Sequence, residues 1–410
     1  MSDQPRATTP RKPGIARHGR LRTPNPWLSV LKFIGVALVV VATSAASIVA
    51  IDGFRLAASV KSFALPDETV GPPPNIAAMD GGFNILLVGS DTGIGQGGLG
   101  DGRGNATLND VNIILHVSAD HTNAVAVSLP RDLVVPIPPC LNPKTGKTSH
   151  AMTAQALNVS LSYGGVGCVA TVVQALTGLT IDFAGLITFT GVIEMSNAVG
   201  GVPVCFTEPV HDKFTGFARD AGVWDLEGRD ALMFLRSRHG VGDGSDLTRI
   251  SSQQVFLSSL VRTLKSNETL TDIPKLYQIA NAALTNMELS NSFKHLDTMV
   301  SIASALKDIP LDRVTFVQYP GTTGNAAGTP YAGKVKPNLA IANQLFAKIK
   351  ADTPFALQKA GDGSGSVLDP NATAAPLDPN ETAPPTGLDV IPGLKGQTAA
   401  DQTCSRAYHG

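Results

Sequence analysis

Three arginines lie close together in the stretch "MFLRSRHGVGDGSDLTRISSQQ". Arg236 and Arg238 are separated by one residue, so in an extended strand their side chains leave the same face. Arg249 follows a Gly/Asp turn. Guanidinium groups match phosphate oxygens through paired hydrogen bonds. A single arginine is better explained by an internal salt bridge, but three that converge favour a phosphate-containing ligand.

The third arginine also begins a predicted helix. Arg249 and Gln253 are four residues apart on its inward side, and the same stripe continues through Phe256, Leu257, Leu260 and Leu264. A buried arginine at a helix start requires an anion beside it. Asp246 precedes this helix, which is expected to begin near Leu247, and is interpreted as its N-cap.

Two carboxylates are expected near the arginines. The runs "VNIILHVS" and "AVAVSL" flank the turn "ADHTN", and a hairpin centred between Asp120 and His121 brings Asp110 opposite Arg131. Asp91 ends the preceding strand and would reach the same edge of a shared sheet. Neighbouring carboxylates are costly without a cation between them, and hard oxygen ligands beside phosphate suit Mg²⁺. The alternative is that Asp91 forms a turn and Asp110 is solvated at a strand start.

The elements that would position these residues alternate between strands and helices. "FNILLVGSD" is a nearly continuous apolar run, typical of a strand covered on both faces, and "RVTFVQYPG" is a late strand. Helical periodicity is present in "VATVVQALTGL", "LITFTGVIEMSNAVGG", "QVFLSSLVRTLKS" and "LDTMVSIASALKDI". With at least one antiparallel pair, the pattern predicts a layered α/β/α domain with a central mixed sheet over residues 82–352.

The N-terminal region has the composition of a single transmembrane anchor. Residues 1–32 carry seven Lys or Arg and one acid, and residues 33–51 carry no charge. An apolar helix of this length spans ~30 Å of hydrocarbon. The basic excess predicts a cytoplasmic N-terminus and an extracytoplasmic remainder. A cleaved signal peptide, with its cleavage site in the small-residue run "ATSAAS", is the alternative.

The regions that flank the domain have biased compositions. Residues 52–81 end in "GPPPNIAAMDG" and are interpreted as a stalk, and residues 353–410 as a mostly disordered tail. The whole chain carries −1, so the part after the basic tail is acidic, which argues against nucleic acid as a partner. Cys140 and Cys168 lie in turn-like surroundings and are the favoured disulfide pair, while Cys205 is either paired or a buried thiol.

Several spaced motifs together resemble the LytR-CpsA-Psr proteins of Gram-positive cell envelopes. They are, in the family's order, "NILLVGSDT", "NDVNIILHVSADHTNAVAVSLPRDL", "ALNVSLSYGG", "AVGGVPV" and "LEGRDALMFLRSRHGVGDGSDLTRISSQQ". The variants "PIPPC" and "RHGVGDGSD" resemble the actinobacterial members. The resemblance implies a membrane-anchored phosphotransferase that moves a glycopolymer from a polyprenyl pyrophosphate carrier to peptidoglycan as a phosphodiester.

The resemblance also implies roles for single residues. Asp91 and Asp110 match the acids on the Mg²⁺ side, and Asp246 matches a further family acid. The residues that match the pyrophosphate grip are Arg131, Arg236, Arg238, Arg249 and Gln253. The alternatives to a transferase are a hydrolase that cleaves the same pyrophosphate with water, and a non-catalytic protein that binds prenyl lipids or regulates envelope assembly.

Three positions depart from the family pattern. Leu108 and Asn109 replace the residues that include an arginine before the metal-side acid, and Arg103 in the glycine-rich loop is a possible substitute. Ser252 stands where a second arginine is common, and Ala156 where a basic residue is frequent. These departures leave the expected fold unchanged and bear on the transferase activity.

Overall fold

The computed structural model describes residues 61–66, 68, 81–90, 107–266, 273–372 and 387–409, with scattered positions between Trp27 and Val40. Residues 1–58 and 59–410 form separate units. In the first unit the described positions are helical, and their apolar side chains are exposed, Trp27 by 76 % and Val36 by 62 %. The predicted tail and most of the predicted anchor at 33–51 lie outside the described residues.

The strands are Lys61–Phe63 (β1), Phe83–Ser90 (β2), Asn109–Val117 (β3), Ala124–Ser128 (β4), Val134–Ile137 (β5), Met152–Ala156 (β6), Phe183–Ile187 (β7), Val202–Phe206 (β8), Val210–Asp212 (β9), Phe217–Arg219 (β10), Gly222–Leu226 (β11), Met287–Ser290 (β12), Val314–Gln318 (β13), Gly321–Thr322 (β14), Lys336–Pro337 (β15), Ser366–Leu368 (β16), Gly396–Thr398 (β17) and Thr403–Ser405 (β18). The helices are Ser160–Thr177 (α1), Phe189–Val199 (α2), Gly228–Arg236 (α3), Asp246–Lys265 (α4), Ile273–Asn286 (α5), Leu296–Lys307 (α6) and Leu339–Lys350 (α7).

The main sheet is mixed and has eight strands in the order β1-β12-β7-β2-β3-β4-β13-β17. Its apolar side chains alternate between two cores, as the period of two in a strand requires. Leu86 and Ile114 face the core shared with α1 and α7, whereas Ile85 and Ile113 face the core shared with α4 and α6. This arrangement confirms the predicted α/β/α layers and the strand assignments of "FNILLVGSD" and "RVTFVQYPG".

A second sheet, in the order β11-β8-β18-β16, packs against α4 and corrects the predicted C-terminal boundary. β18 pairs in parallel with β8, and β17 pairs with β13 at the edge of the main sheet. Residues 353–372 and 387–409 are therefore part of the folded unit and not a disordered tail. The composition of this segment predicted disorder because strands that pair with distant segments leave no local periodicity. Residues 373–386 lie outside the described part.

The predicted stalk is also shorter than residues 52–81. β1 pairs in parallel with β12, and Leu65 is buried in the core that contains α1. The N–H of Ser292 donates to Glu68 at 2.6 Å. β1, Leu65 and Glu68 therefore belong to the folded unit, whereas residues 69–80, whose Pro/Gly composition predicts a spacer, lie outside the described residues.

Two disulfides connect the domain. Cys140–Cys168 joins the loop after β5 to α1, which confirms the favoured pair, and Cys205–Cys404 joins β8 to β18. Within the described residues one helical stretch, Leu157–Thr177, is long and apolar enough to cross a membrane. Half of its most apolar window is buried inside the domain, and it carries Cys168, so we interpret it as a core helix.

Candidate anion-binding site

Five of the predicted site residues meet around one edge of the main sheet, namely Asp110, Arg131, Arg238, Asp246 and Arg249. β7, β2, β4 and β13 run toward this edge and β3 begins there, because Gly89 pairs with Ile187, and Ser128 pairs with both Ile113 and Gln318. In open α/β sheets, ligands bind outside the carboxyl ends of the strands. Asp91, which follows β2, and Arg103 lie outside the described residues.

Asp110 and Arg131 face each other across the β3–β4 hairpin, as the sequence predicts. The observed register, in which Ile113 pairs with Ser128, extends to this pair. Nη1 of Arg131 donates to Oδ1 of Asp110, and the two side chains are only 10 % and 16 % exposed. Burial acts to lower the pKa of Arg131, but the neighbouring carboxylates of Asp110, Asp132 and Asp246 together raise it overall.

Arg236 and Arg238 do not lie on a strand, so the predicted common face is wrong. The preceding residues form α3, which buries Ala231 to Phe234 and ends at Arg236. Ser237 is extended and turns the chain. A short apolar run fits a buried helix as well as a strand, which explains the error. The guanidinium carbon of Arg236 lies 4.3 Å from the ring centroid of Phe189, at the start of α2.

Arg238 belongs to a largely buried cluster of charges. Its Nη2 lies 3.2 Å from Oδ2 of Asp132 and 3.4 Å from Oδ1 of Asp246. Nη2 of Arg249 lies 2.5 Å from the same Asp246 oxygen and donates to the carbonyl of Asp110 at 2.9 Å. Burial, followed by repulsion from two neighbouring arginines, lowers the pKa of Arg238.

Asp246 is not the N-cap of α4. Ser245 takes that position and accepts a hydrogen bond from the N–H of Thr248. Asp246 is the first helical residue and is 4 % exposed. It supplies the anion that a buried Arg249 requires. Its Oδ2 is buried and has no hydrogen-bond partner among the residues described.

Gln253 connects two helices. Its Nε2 donates to the carbonyl oxygen of Leu235 at 2.8 Å. Leu235 lies in the last turn of α3, where carbonyl groups lack partners within the helix. Gln253 therefore fixes the end of α3, two residues before Arg238, and its amide nitrogen is engaged there. The predicted contact of Gln253 with pyrophosphate stays a prediction.

Sequence reasoning missed two members of the cluster, Asp132 and Lys334. Asp132 contacts three cations: Arg131 at 3.6 Å, Arg238 at 3.2 Å and Lys334 at 2.6 Å. Burial acts to raise the pKa of Asp132, but the hydrogen bond from Lys334 and the charges of the neighbouring cations lower it overall. The position of Asp132 directly after Arg131 in "PRDL" is the sequence signal that could have placed it in the site. Lys334 is 202 residues further along the chain, without a motif.

Asp212, also missed, holds the loop that carries Arg238. This carboxylate accepts hydrogen bonds from the Ser237 hydroxyl at 2.7 Å and from the N–H groups of Arg238 and His239 at 3.0 and 3.1 Å. Burial acts to raise the pKa of Asp212, but the hydrogen bonds from the Ser237 hydroxyl and from the N–H groups of Phe214, Thr215 and Arg238 lower it overall. Asp212 is 2 % exposed, so it positions the loop from beneath.

The departures from the family pattern have structural partners. Asn109 is fully buried, donates to Asn112 at 2.7 Å and to the carbonyl of Leu157 at 3.2 Å, and accepts from the N–H of Leu161 at 3.1 Å. It joins β3 to the start of α1 and positions the neighbouring Asp110. It does not replace the missing arginine.

Ser252 faces the C-terminal segment. Its hydroxyl donates to the carbonyl of Gly365 at 3.2 Å and accepts from the hydroxyl of Ser405 at 3.1 Å. Ser252 is 2 % exposed, so a longer side chain would displace these residues. The second arginine of the family pattern is therefore incompatible with the packed C-terminal segment.

The described cluster carries an excess of positive charge. Its three acids face four cations, which are Arg131, Arg238, Arg249 and Lys334. The Nε atoms of the three arginines are buried and make no hydrogen bond within the described part of the chain. A net positive, largely buried cluster with unmet donors attracts an anion.

The described residues provide only some of the carboxylate oxygens that a Mg²⁺ site would need. Asp110 engages Arg131 through Oδ1, and Asp246 has the unpartnered Oδ2. Among the described residues, a group of three possible donors occurs at Cys205, Asp369 and Cys404, where the disulfide removes both thiolates. A magnesium site beside Asp110 would need Asp91 as well and stays a prediction.

Comparison with known proteins agrees with this arrangement. Residues 57–347 match the LytR_cpsA_psr family. The chain belongs to the LytR-CpsA-Psr family. The family match ends within α7, so β16 to β18 and Cys404 lie beyond it.

Two named relatives come from Corynebacterium glutamicum and Enterococcus faecalis. The cell wall biosynthesis protein LcpA of Corynebacterium glutamicum is 30 % identical over 278 residues, which are 61 % of this chain and 52 % of LcpA. TagU of Enterococcus faecalis, named a polyisoprenyl-teichoic acid–peptidoglycan teichoic acid transferase, is 29 % identical over 225 residues, 54 % of this chain and 64 % of TagU. The chain thus spans about half the length of LcpA.

Solved structures share the fold. The LytR-Csp2A-Psr enzyme from Actinomyces oris aligns with a TM-score of 0.51 and 20 % identity over 71 % of this chain and 96 % of that one. Protein gbs0355 from Streptococcus agalactiae aligns with a TM-score of 0.54 and 22 % identity over 67 % and 90 %. At these identities the likeness concerns the fold alone.

Proposed function

We propose that this LytR-CpsA-Psr protein transfers a glycopolymer from a polyprenyl pyrophosphate carrier to peptidoglycan. The supporting observation is the net positive cluster around Arg131, Arg238 and Arg249 beside the carboxyl ends of four strands. A pyrophosphate is the multiply charged anion that such a cluster suits. The name of TagU, which combines a polyisoprenyl-linked teichoic acid with peptidoglycan, supports the same class of donor and acceptor.

In the proposed reaction, an acceptor sugar hydroxyl attacks the phosphorus that bears the glycan. The bond from that phosphorus to the bridging oxygen breaks, and the prenyl phosphate leaves in line with the incoming oxygen. The hydroxyl proton passes to a carboxylate, Asp91 or Asp110. The arginines neutralise charge that develops on the phosphate oxygens. Mg²⁺, held by the same two acids, would add to this neutralisation when bound.

Arg238 is the cation best placed to contact the donor. It is shared between two carboxylates at 3.2 and 3.4 Å, longer than the ~2.7–2.9 Å of a strong charged hydrogen bond. Its side chain is 25 % exposed, compared with 5 % for Arg249. A phosphate oxygen can therefore compete for Arg238, whereas Arg249 stays with Asp246 and holds the start of α4.

The domain is proposed to act outside the membrane, next to a lipid-borne donor. The basic N-terminal tail, the uncharged run at 33–51 and the exposed apolar side chains between Trp27 and Val40 support a cytoplasmic N-terminus and one anchor. A reporter that is active only outside the cytoplasm is expected to be active when fused after residue 410. A mature N-terminus near Ser47 would instead indicate a cleaved signal peptide.

Substitution of the arginines tests the donor site. Arg238→Ala and Arg236→Ala should each weaken binding of farnesyl pyrophosphate to the full chain by about 1.5–3 kcal/mol, the range for hydrogen bonds to charged groups. Arg219→Ala is the matched control, because Arg219 also lies over aromatic rings and pairs with an acid, Asp230, outside the cluster. Unchanged affinity for farnesyl pyrophosphate together with a lower melting temperature would make these arginines structural.

A turnover assay separates the transferase from its alternatives. Labelled donor with Mg²⁺ and a peptidoglycan acceptor should give a phosphodiester product, and Asp110→Ala should abolish it while farnesyl pyrophosphate still binds. Release of glycan phosphate without transfer would indicate a hydrolase. Binding without any turnover in Mg²⁺ would indicate a non-catalytic lipid-binding protein.

A further inference from the structure

Three exposed rings lie beside the loop that carries Arg238. Phe214, at the tip of the β9–β10 hairpin, is 69 % exposed, and Tyr408, near the end of the described chain, is 47 % exposed. His239 follows Arg238 and is exposed as well. The ring centroids of Phe214 and His239 are 4.5 Å apart. We refer to Phe214, His239 and Tyr408 as the ring surface.

Both outer rings are fixed to this loop through the backbone. The N–H of Phe214 donates to Oδ1 of Asp212 at 2.9 Å, and Oδ2 of the same carboxylate accepts from the N–H of Arg238. The N–H of Tyr408 donates to the carbonyl of Gly240 at 3.1 Å. The ring surface and the donor-contacting arginine are therefore positioned by the same loop.

The Tyr408 ring also lies close to a second glycine, Gly244. A Cβ atom at Gly244 would lie 3.2 Å from the Tyr408 ring and 3.7 Å from the carbonyl oxygen of Arg238. Gly244 has a φ of +77°, which favours glycine, and both the Tyr408 ring and the Arg238 carbonyl lie beside it. Tyr408 lies beyond the family match, which ends at residue 347.

Exposed aromatic rings held in place by backbone contacts are typical of binding surfaces. Aromatic side chains combine a flat apolar face with low conformational entropy, and Tyr and His add a polar edge. The faces of sugar rings carry C–H groups and their edges carry hydroxyls. A saccharide can therefore place its faces on Phe214 and Tyr408 and its hydroxyls toward the polar edges.

A cation beside one of the three rings provides a partner for a carboxylate of a bound saccharide strand. Nζ of Lys213 lies 5.6 Å from the centroid of Phe214. Two acids close by are engaged within the chain, since Glu208 pairs with His409 at 2.8 Å and Asp243 accepts from Ser245 at 2.8 Å. A carboxylate on the bound strand would be attracted by Lys213 beside Phe214, whereas the carboxylates of Glu208 and Asp243, on the Tyr408 side, would repel it and so direct it toward Lys213.

We propose that the ring surface binds the acceptor, a peptidoglycan glycan strand, with sugar rings on Phe214 and Tyr408 and a strand carboxylate near Lys213. This inference rests on the proposed transferase function. Acceptor binding here would bring a sugar hydroxyl beside Arg238, where the proposed donor phosphorus lies. The free carboxylates of the stem peptides, which the acceptor strand carries, are the reason for choosing the acceptor over the donor glycan.

The test measures two affinities of the full chain in detergent micelles. The probes are a soluble glycan strand with stem peptides and farnesyl pyrophosphate. Phe214→Ala with Tyr408→Ala should weaken binding of the strand about tenfold and leave binding of farnesyl pyrophosphate unchanged. Phe214→Tyr with Tyr408→Phe, which keeps both rings, should retain the strand affinity. Trp224→Ala is the control, since Trp224 is 42 % exposed and contacts Arg219 at the other end of the hairpin.

The outcomes separate the two proposals. Strand affinity that is unchanged in the double alanine variant, or a wild type that binds no strand, overturns the role of the ring surface. An equal loss of farnesyl pyrophosphate affinity assigns the rings to the donor and overturns it as well. A wild type that binds the strand and not farnesyl pyrophosphate overturns the proposed donor instead. The two single alanine variants provide the same comparison if the double variant does not fold.

Discussion

Asp132 is the residue on which the charges of the site converge. Its carboxylate lies between Arg131, Arg238 and Lys334, with its side chain 12 % exposed. Removal of a carboxylate from such a position leaves buried cations that repel one another, a larger effect than the loss of a surface ion pair. Asp132 thus allows three cations to be held together before an anionic substrate arrives.

The lowered pKa of Asp132 predicts how the stability of the fold depends on pH. Its folded-state pKa is below the unfolded value of about 3.9, so its contribution to stability is present above about pH 4 and is lost as pH falls through the folded pKa. At neutral pH, the free energy of unfolding should be lower for Asp132→Asn than for wild type. The difference should shrink below about pH 4.

The control for this prediction is Asp308→Asn. Asp308 is 79 % exposed and lies 3.9 Å from Lys307, so its substitution should have little effect at any pH. Urea titrations of each protein between pH 3 and 7 provide the free energies. A constant difference between wild type and Asp132→Asn over this range would contradict the assignment.

Lys334 is expected to act on the donor. Its side chain is 39 % exposed at the rim of the cluster, so its ammonium can turn from Asp132 to a phosphate oxygen. Lys334→Ala should weaken farnesyl pyrophosphate binding by about 1 kcal/mol, and Lys334→Arg should retain most of it. Lys336→Ala, two residues away beside the ring of Tyr331, is the matched control. Equal effects at both lysines would indicate only a general loss of positive charge.

Among the elements, those with strong periodicity were predictable from sequence. The β3–β4 hairpin has a turn and two apolar runs, so its register, and with it the Asp110–Arg131 pair, followed from residue numbers alone. α3 was not predictable, because its short apolar run has the length of either element. Asp212, Asp132 and Lys334 join the site through contacts between distant segments, which no local pattern records.

A disulfide joins the paired strands β8 and β18, and this gives a prediction at the level of elements. Cys205 and Cys404 are separated by 199 residues, compared with 28 for Cys140 and Cys168. In the chain-entropy account, closing the longer loop stabilises the fold more, within a typical range of about 2–5 kcal/mol. Cys205→Ala with Cys404→Ala should therefore lower the melting temperature more than Cys140→Ala with Cys168→Ala, by calorimetry of the full chain.

Reducing agent distinguishes the disulfides from the packing of the side chains. Reductant lowers the melting temperature of wild type by breaking both disulfides. In each double alanine variant, the part of this decrease that comes from the removed disulfide should be absent. If the variant lacking Cys205 and Cys404 melts at the wild-type temperature under oxidising conditions, the second sheet is held by strand pairing alone.

In the whole molecule, distant ends of the described domain form the two edges of the main sheet. β1 is one edge strand and β17 is the other, with three residues each. Such short edge strands limit pairing with other molecules. The segment beyond residue 352 also packs on α4 and contacts the loop that carries Arg238, so stability and site geometry depend on it together.

A chain that ends at Asp352 is expected to self-associate and to melt at a lower temperature. It lacks β16 to β18, which exposes β13 at the edge of the main sheet and leaves Cys205 without its partner. Size-exclusion chromatography and calorimetry would detect both effects. A chain that ends at Arg406 keeps the three strands and is the control. A monomeric, stable chain ending at Asp352 would show that the segment is dispensable.

The spacing of the four cysteines has a consequence for how the chain is made. Synthesis proceeds at ~5–20 residues per second, so Cys205 emerges roughly 10–40 s before Cys404. During this interval Cys205 lies in β8 before the partner strand β18 has been made. Cys140, Cys168 and Cys205 are all available during this interval, and a wrong bond from Cys205 to either of the others competes with the native one. A chain that forms such a wrong bond can mature only through thiol–disulfide exchange, so an oxidoreductase in the compartment where the domain folds is expected to raise its yield.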